Sequence, residues 1–155
     1  IITFHATFKN GRHKNDDALP SGLSIYDLDH IENPRAKWNS IKERSKELGI
    51  VLAHISPSLE GLRLVFVMPS GMSLAEAQAW MAQQLGDTEY DVCVKDYARS
   101  SFIVPREYVL FIDEEKLFSV QMREQMIEQM IDDKGEMIDE RGEMIDEREQ
   151  MIDDR

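Results

Sequence analysis

The sequence predicts an α+β domain, with a mixed or antiparallel sheet and flanking helices, followed by an acidic C-terminal helix. Strand-length apolar segments recur through residues 1–120, and only two stretches there show the periodicity of an amphipathic helix. The predicted order is β, β, α, β, β, α, β, β, β, which differs from the regular alternation of a doubly wound α/β domain. Residues 121–155 instead form a seven-residue repeat, so we expect a domain over 1–120 and a separate tail.

Composition narrows the class of protein. A chain of 155 residues with 42% hydrophobic and 31% charged residues fits one globular domain with an appendage. No apolar run reaches the ~18 residues of a membrane helix, and no secretory signal opens the chain. The single Cys93 cannot form an internal disulfide, so a cytoplasmic setting is expected. The chain begins in strand-like sequence without Met, and we expect that N-terminal elements of the domain are missing.

The first 49 residues predict two strands and a helix. Loose alternation over 1–8 indicates a strand, and 22–30 reads as a second strand after a polar loop. Pro34 suits the first helical position, and 35–48 has the apolar spacing of an amphipathic helix that ends at Gly49.

The next segments predict a strand pair and a second helix. The apolar runs 50–55 and 62–68 are typical of buried strands, joined by a small-residue turn at 56–61. Ser73 and Glu76 have the spacing of a capping box, which predicts a helix to about Leu85. Shorter strands are expected at 90–94, 101–104 and 108–112.

The tail has a repeat with no counterpart in the domain. Four Met-Ile pairs recur every seven residues, beginning at Met130, within nearly identical acidic segments. Adjacent apolar residues give only a narrow helical stripe, and Gly135 and Gly142 each cost about 1 kcal/mol in a helix interior. A marginally stable helix with weak self-association is our first interpretation, and disorder is the alternative. In either case we expect a spacer outside any functional site.

The net charge of the chain limits the kinds of partner that it can bind. Of the formal charge of −12, residues 121–155 contribute −8 (13 acidic and 5 basic), which leaves −4 for residues 1–120. An acidic chain does not favour unspecific nucleic-acid binding, which depends on Lys and Arg at phosphates. A mildly acidic domain can still carry a local basic patch.

The pair Asp27 and Asp29 is the first candidate site. Residues two apart on a strand share a face, so their Cα atoms lie roughly 6.6 Å apart. Two such carboxylates repel each other unless a cation lies between them. The alternative is a solvated strand end without a ligand.

Two further segments carry residues suited to phosphate or metal binding. In the turn at 56–63, backbone N–H groups and the hydroxyls of Ser56 and Ser58 can hold phosphate oxygens, and Arg63 can add a forked contact. In 91–99, the candidates are Asp96 as a third carboxylate and Lys95 and Arg99 as phosphate ligands. The alternatives are an ordinary hairpin turn and a charged surface loop. His54, in a buried run, is expected to be a core histidine, and His30 is expected to pack or lie at the surface.

Taken together, these stretches resemble a known family. The motifs Gly-Leu-Ser-Ile-Tyr-Asp-Leu-Asp-His, Ile-Ser-Pro-Ser-x-x-Gly-Leu-Arg and Asp-x-x-x-Lys-Asp-x-x-Arg-Ser-Ser-Phe occur in this order. Over residues 2–117 the chain is similar to the primase-like N-terminal domain that precedes VirE-type or helicase-like domains in mobile-element proteins. That domain is a branch of the archaeo-eukaryotic primase superfamily.

The resemblance implies a primase-polymerase-like core related to RNA-recognition folds. It implies that Asp27, Asp29 and a third carboxylate hold Mg²⁺ or Mn²⁺, with Asp96 as the best match and Asp91 as the alternative. Ser56, Ser58 and Arg63 would bind the nucleotide. Leu59 stands where the family's turn has Gly, and a positive φ there would be unfavourable for leucine.

The implied function is metal-dependent nucleotidyl transfer in the DNA replication of mobile elements. Its expected partners are nucleotides, single-stranded or primed DNA, and a helicase-like protein or fused domain, with no membrane partner. The alternative is a catalytically inactive nucleic-acid-binding or assembly module on the same fold.

Overall fold

The computed structural model describes residues 2–8, 16, 18–92 and 99–118 of the chain. By its internal contacts the chain divides into two units, Ile1–Ser119 and Val120–Arg155. The predicted heptad-repeat helix at 121–155 lies outside the described residues. The predicted site residues Lys95 and Asp96 also lie outside them.

The described part contains eight strands and three α-helices. The strands are β1 (Ile2–Thr3), β2 (Ala6–Phe8), β3 (Ala18–Pro20), β4 (Leu23–Leu28), β5 (Ile50–Ile55), β6 (Leu62–Val67), β7 (Ser100–Ser101) and β8 (Val109–Ile112). The helices are α1 (Pro34–Ile41), α2 (Leu74–Leu85) and α3 (Glu114–Phe118). None of the described helices is long and apolar enough to cross a membrane.

The predicted α+β class is confirmed by an antiparallel four-stranded sheet. Its strand order is β4-β6-β5-β8, and β1 with β7 and β2 with β3 form two small antiparallel pairs. Helix α1 connects β4 to β5, and β6 lies between them in a split β-α-β arrangement. The register places Asp27, Arg63 and His54 directly opposite one another on three adjacent strands. One polar row therefore crosses the sheet.

One face of this sheet packs against the helices. Alternation along β4 directs Tyr26 and Leu28 to that face, where they join Trp38 and Ile41 of α1 and Met81 of α2. The remaining buried residues of this core are Leu48, Ile50, Ala53, Leu62, Leu64, Phe66, Ala77 and Ala82. Because Asp27 lies between Tyr26 and Leu28 in the strand, its side chain points to the opposite face.

The free edge of β4 is closed by buried side chains rather than by another strand. The backbone N–H of Ile25 donates to His5 Nε2 at 3.0 Å, and Gln78 of α2 donates to Ile25 O at 2.6 Å. Gln78 also donates to Ser24 Oγ at 2.8 Å. Buried backbone groups at a sheet edge require such partners. The turn of the chain at Phe4 and His5 splits the strand predicted for 1–8 into β1 and β2.

Four predicted element boundaries were wrong. The strand predicted for 22–30 ends at Leu28, so Asp29 lies beyond β4. Helix α1 ends at Ile41 and is followed by a 3₁₀ turn, Lys42–Arg44, instead of continuing to residue 48. Gly49, with φ of +70°, lies close to Val67 O. A Cβ there would lie 3.1 Å from that oxygen. The strand predicted for 101–104 is confined to Ser100–Ser101, because its partner β1 is only two residues long. The described part of 90–94 is not a strand.

Replacing Gln78 tests the closure of the β4 edge. Gln78→Leu leaves Ile25 O and Ser24 Oγ buried without their donor, so we expect the free energy of unfolding to fall by about 1–3 kcal/mol. Urea denaturation measures this value. Gln83→Leu, at an exposed position of the same helix, is the control and should change it by less than about 0.5 kcal/mol. Equal losses in the two variants would contradict the assigned role of Gln78.

Candidate functional site

The centre of the candidate site is an ion pair across two strands. Asp27 of β4 lies opposite Arg63 of β6, and the guanidinium donates from Nε to Oδ1 at 2.5 Å and from Nη2 to Oδ2 at 2.9 Å. Arg99 Nη2 donates to the same Oδ2 at 3.1 Å. The side chains of Asp27, Arg63 and Arg99 are 18%, 19% and 32% exposed. Both carboxylate oxygens are therefore engaged in a partly buried setting, where charge-assisted bonds are strong.

Ser101 completes this group, which we call the Asp27 cluster (Asp27, Arg63, Arg99 and Ser101). Arg63 Nη1 donates to the buried Ser101 Oγ at 2.5 Å. The pairing of β7 with β1 holds Ser101 in place. Ser101 was not among the site residues predicted from the sequence, where only its position two residues after Arg99 indicated it. The cluster carries one carboxylate and two guanidinium groups, so its formal charge is positive.

His54 lies on the other side of Arg63 and confirms the prediction of a core histidine. The ring is buried, and Nδ1 donates to the Ile55 carbonyl oxygen at 2.9 Å, since that oxygen can only accept. Burial lowers the pKa of His54 and is the largest effect; the hydrogen bond to the Ile55 carbonyl raises it, the positive charge of Arg63 lowers it, and the charge of Asp27 raises it. The neutral ring is thus favoured beside the arginine.

Asp27 also borders an acidic cleft of about 450 Å³. This volume is within the range of small-molecule pockets. The cleft brings together Asp27, Asp29 and Asp91, which are the predicted pair and the alternative third carboxylate. Its remaining lining residues are Leu28, His30, Ile31, Lys37, Leu85, Gly86, Asp87, Thr88 and Glu89. Asp29 and Asp91 are exposed, so the cleft offers solvated carboxylates next to one that is held by arginines.

A second carboxylate of the cleft has a structural role. Tyr26 donates its hydroxyl to Asp87 Oδ2 at 2.6 Å, which ties β4 to the end of α2. Burial raises the pKa of Tyr26 well above its usual value, and the acceptor carboxylate of Asp87 raises it further. Gly86, with φ of +67°, ends α2 immediately before Asp87. The Asp87 carboxylate therefore stabilises the fold through this hydrogen bond.

The prediction that Asp27 and Asp29 bind a magnesium or manganese ion stays a prediction. Among the described residues, no group of three or more His, Cys, Asp or Glu side chains is placed to hold a metal. Mg²⁺ is usually bound by one or two carboxylates together with substrate phosphates and water, rather than by a full protein cage. Asp27 and Asp29 can supply those carboxylates. In the structure both Asp27 oxygens accept hydrogen bonds from arginines, which would compete with a metal for this carboxylate.

The serine turn lies at the same end of the sheet. Leu28 at the end of β4 is opposite Leu62 at the start of β6, and Ile31 N donates to Glu60 O at 2.8 Å. Within the turn, Ser56 Oγ and Ser58 Oγ are hydrogen-bonded to each other at 2.9 Å. The turn is therefore fixed to the segment that follows Asp29, with its two predicted hydroxyls paired.

Leu59 has φ of +67°, so the position where the resemblance placed Gly does have a left-handed backbone. A non-glycine residue pays about 1–2 kcal/mol for this conformation. The Leu59 side chain is 53% exposed and gains little from packing. The turn thus retains the backbone of a glycine turn at a cost in strain.

Substitution of Leu59 should reveal this strain. Leu59→Gly is expected to raise the free energy of unfolding by about 0.5–1 kcal/mol, as relief of strain exceeds the added chain entropy of glycine. Leu59→Ala keeps the positive φ on an L-residue and should not stabilise the protein. Guanidinium denaturation of both variants makes the comparison, and equal stability of the two would refute the strain.

The lowered pKa of His54 predicts a pH dependence of stability. In the unfolded chain the ring takes up a proton near pH 6.5, whereas the folded protein resists protonation until lower pH. The unfolded state then binds more protons, so the free energy of unfolding falls as pH decreases below about 6.5, by up to about 1.4 kcal/mol per unit. Denaturation at several pH values tests this. His54→Asn should flatten the slope and His30→Asn should not; an unchanged slope in His54→Asn would contradict the assignment.

Comparison with known proteins corrects the resemblance drawn from the sequence. Residues 1–98 match the family model described as BT4734-like, N-terminal domain, and no primase family matches. No curated protein and no solved structure matches the chain. The primase-like assignment was therefore wrong; it rested on short motifs that carry little information singly. Because the match covers more than half of its residues, the chain belongs to the BT4734-like, N-terminal domain family.

Proposed function

We propose that this domain binds a nucleoside triphosphate together with Mg²⁺ or Mn²⁺ at the Asp27 cluster and transfers its nucleotidyl group to the 3′-hydroxyl of a DNA strand, with pyrophosphate as the leaving group. The observation that carries the proposal is the contact of one carboxylate with two arginines at the border of a carboxylate-lined cleft. Carboxylates suit a hard divalent cation, and arginines suit phosphate oxygens. A metal–nucleotide complex presents both kinds of charge at short range, and without it the protein's own groups pair with each other.

The proposed roles follow from the contacts. Asp27 and Asp29 hold the cation from the β4 side, and Arg63 and Arg99 bind phosphate oxygens. Ser101 positions Arg63 by its hydrogen bond. A bound divalent ion would supply charge neutralisation at the attacking and leaving oxygens of the transfer. The third carboxylate is Asp91, which already borders the cleft, or Asp96.

The serine turn and the surrounding chain complete the proposal. Exchange of the Ser56–Ser58 hydrogen bond for contacts to phosphate would free both hydroxyls for a ligand. Lys95 is a further candidate phosphate ligand. The lone Cys93 supports a cytoplasmic setting. The earlier expectation of a helicase-like partner and of mobile-element replication rested on the resemblance alone, and we do not extend it.

A second candidate function is favoured by the same cluster. Because the two arginines Arg63 and Arg99 pair with the single carboxylate of Asp27, the cluster is positively charged without a metal. Such a group can bind a nucleic-acid phosphate and perform no chemistry. The domain would then be a nucleic-acid-binding or assembly module. Metal-dependent incorporation of nucleotides separates the two functions, since only the first requires it.

The direct test is nucleotide incorporation by the full chain. We expect dNTP or NTP addition to a primed template with Mg²⁺ or Mn²⁺, and a loss of at least about a hundredfold in Asp27→Asn with Asp29→Asn, because the cation loses its charged ligands. Gel analysis of an end-labelled primer measures the addition.

The matched control removes the same charge elsewhere. Glu43→Gln with Glu115→Gln alters two exposed carboxylates outside the cleft and should retain wild-type incorporation. If the wild-type protein binds single-stranded DNA but incorporates nothing with either metal, the transferase proposal fails and the binding module stands. Full activity in the Asp27 and Asp29 double variant would also overturn it.

A further inference from the structure

We infer that the groove between α1 and β8 binds single-stranded DNA through its phosphates and an unstacked base. The groove has a volume of about 370 Å³ and is lined by Arg35, Trp38, Asn39, Lys42, Val109 and Leu110. This second site needs no metal and no chemistry at the Asp27 cluster. The inference therefore goes beyond the proposed function, and either of the two can fail without the other.

One wall of the groove is a cationic stripe on α1. Arg35, Asn39 and Lys42 have the spacing i, i+4 and i+7, so they share one side of the helix, which Lys42 caps with helical backbone angles. All three residues are exposed. Arg35 Nη2 donates to the backbone oxygen of Glu107 at 2.9 Å, which ties the start of α1 to the turn before β8. This bond uses one of the five N–H donors of the guanidinium, so the group can still donate to a ligand.

The other wall of the groove is apolar. Val109 and Leu110 of β8 are half-buried, and Trp38, which is 6% exposed, also lines the groove. Trp38 is held by Phe111, and the two ring centroids lie 5.5 Å apart. Apolar and aromatic surfaces of this kind contact the faces of nucleobases with little dependence on base identity. The groove thus combines two cations and an amide for a phosphate with an apolar surface for a base.

The charges around the groove favour a polyanion. Residues 34–49 contain five basic and two acidic side chains, a local net charge of +3 in a chain whose net charge is −12. None of the described residues that line the groove is acidic. One of the two nearby acidic residues, Glu47, pairs with Arg44, which does not line the groove. Arg35 and Lys42 are therefore placed to contact phosphates, and such contacts supply much of the affinity for nucleic acid.

A single strand suits this groove better than a duplex or an acidic peptide. In a duplex the bases are stacked and paired, so only phosphates would reach the groove and its apolar wall would gain no contact. An acidic peptide would pair with the cations but brings no nucleobase to that wall. Helix α1 also contributes Lys37 to the cleft at Asp27. A strand bound along this helix therefore contacts an element that borders both sites.

Fluorescence anisotropy of a labelled oligothymidylate of about 20 nucleotides, with the full chain in EDTA, tests the inference. We expect Arg35→Gln with Lys42→Gln to weaken binding at least about tenfold. The slope of log K against log salt should fall by about 1.4, since each phosphate contact to a single strand contributes about 0.7. Lys46→Gln with Lys116→Gln removes two exposed charges outside the groove and should stay within about threefold of the wild type.

Tryptophan fluorescence locates the bound strand. The chain has two tryptophans, so Trp38 is the only one left in Trp80→Phe. Added oligothymidylate should quench Trp38, because this side chain lines the groove. The duplex with oligoadenylate should bind at least about tenfold more weakly than the single strand, because its bases do not reach the apolar wall.

The failing outcomes are specific. Equal losses in the two double variants, binding that leaves Trp38 fluorescence unchanged, equal affinity for the duplex, or no binding by the wild type would each overturn the inference. Displacement of the DNA by polyglutamate at equal charge concentration would identify an acidic-peptide site instead. If the Arg35 and Lys42 double variant does not fold, Lys42→Gln alone decides, with an expected loss of about threefold against none. Failure of the proposed function is separate, since it shows as absent primer extension while groove binding persists.

Discussion

The forked ion pair between Asp27 and Arg63 is the constraint on which the candidate site depends. It spans the direct register of β4 and β6, and it leaves one guanidinium nitrogen of Arg63 for Ser101. Arg99 donates a further hydrogen bond to the same carboxylate. On the far side of Arg63, the lowered pKa of His54 favours the neutral ring. A strand register set by hydrophobic burial thus places Asp27, Arg63 and His54 beside one another.

Stability alone does not account for this pair. The neighbouring cross-strand pairs on the same face are apolar, Ile25 opposite Val65 and Leu23 opposite Val67. A partly buried ion pair is often no more stabilising than a hydrophobic pair of similar volume, since desolvation offsets the attraction. The charged pair appears where the sheet meets the acidic cleft, at the end of β4. This location beside the cleft supports the proposed binding function.

The sequence predicted those secondary-structure elements that depend on local residue patterns. Strands β5 and β6 are largely apolar apart from His54 and Arg63, and α2 begins at a capping box in which Ser73 and Glu76 bond reciprocally as expected. The contact of Asp27 with Arg63 was not predictable, because register joins residues 36 apart in the chain. The interruption at His5 likewise depends on a partner at Ile25. Motif order suggested a family, but short motifs recur too freely to identify one, and the assignment was wrong.

The proposed function requires the Asp27 cluster to bind a divalent metal together with a nucleotide. A crystal structure of the full chain with Mn²⁺ and a non-hydrolysable nucleoside triphosphate would show this binding. We expect an anomalous Mn²⁺ peak about 2.1 Å from an Asp27 oxygen, with Arg63 and Arg99 on phosphate oxygens. Manganese located only at other carboxylates, with both arginines still bonded to Asp27, would contradict the proposed function.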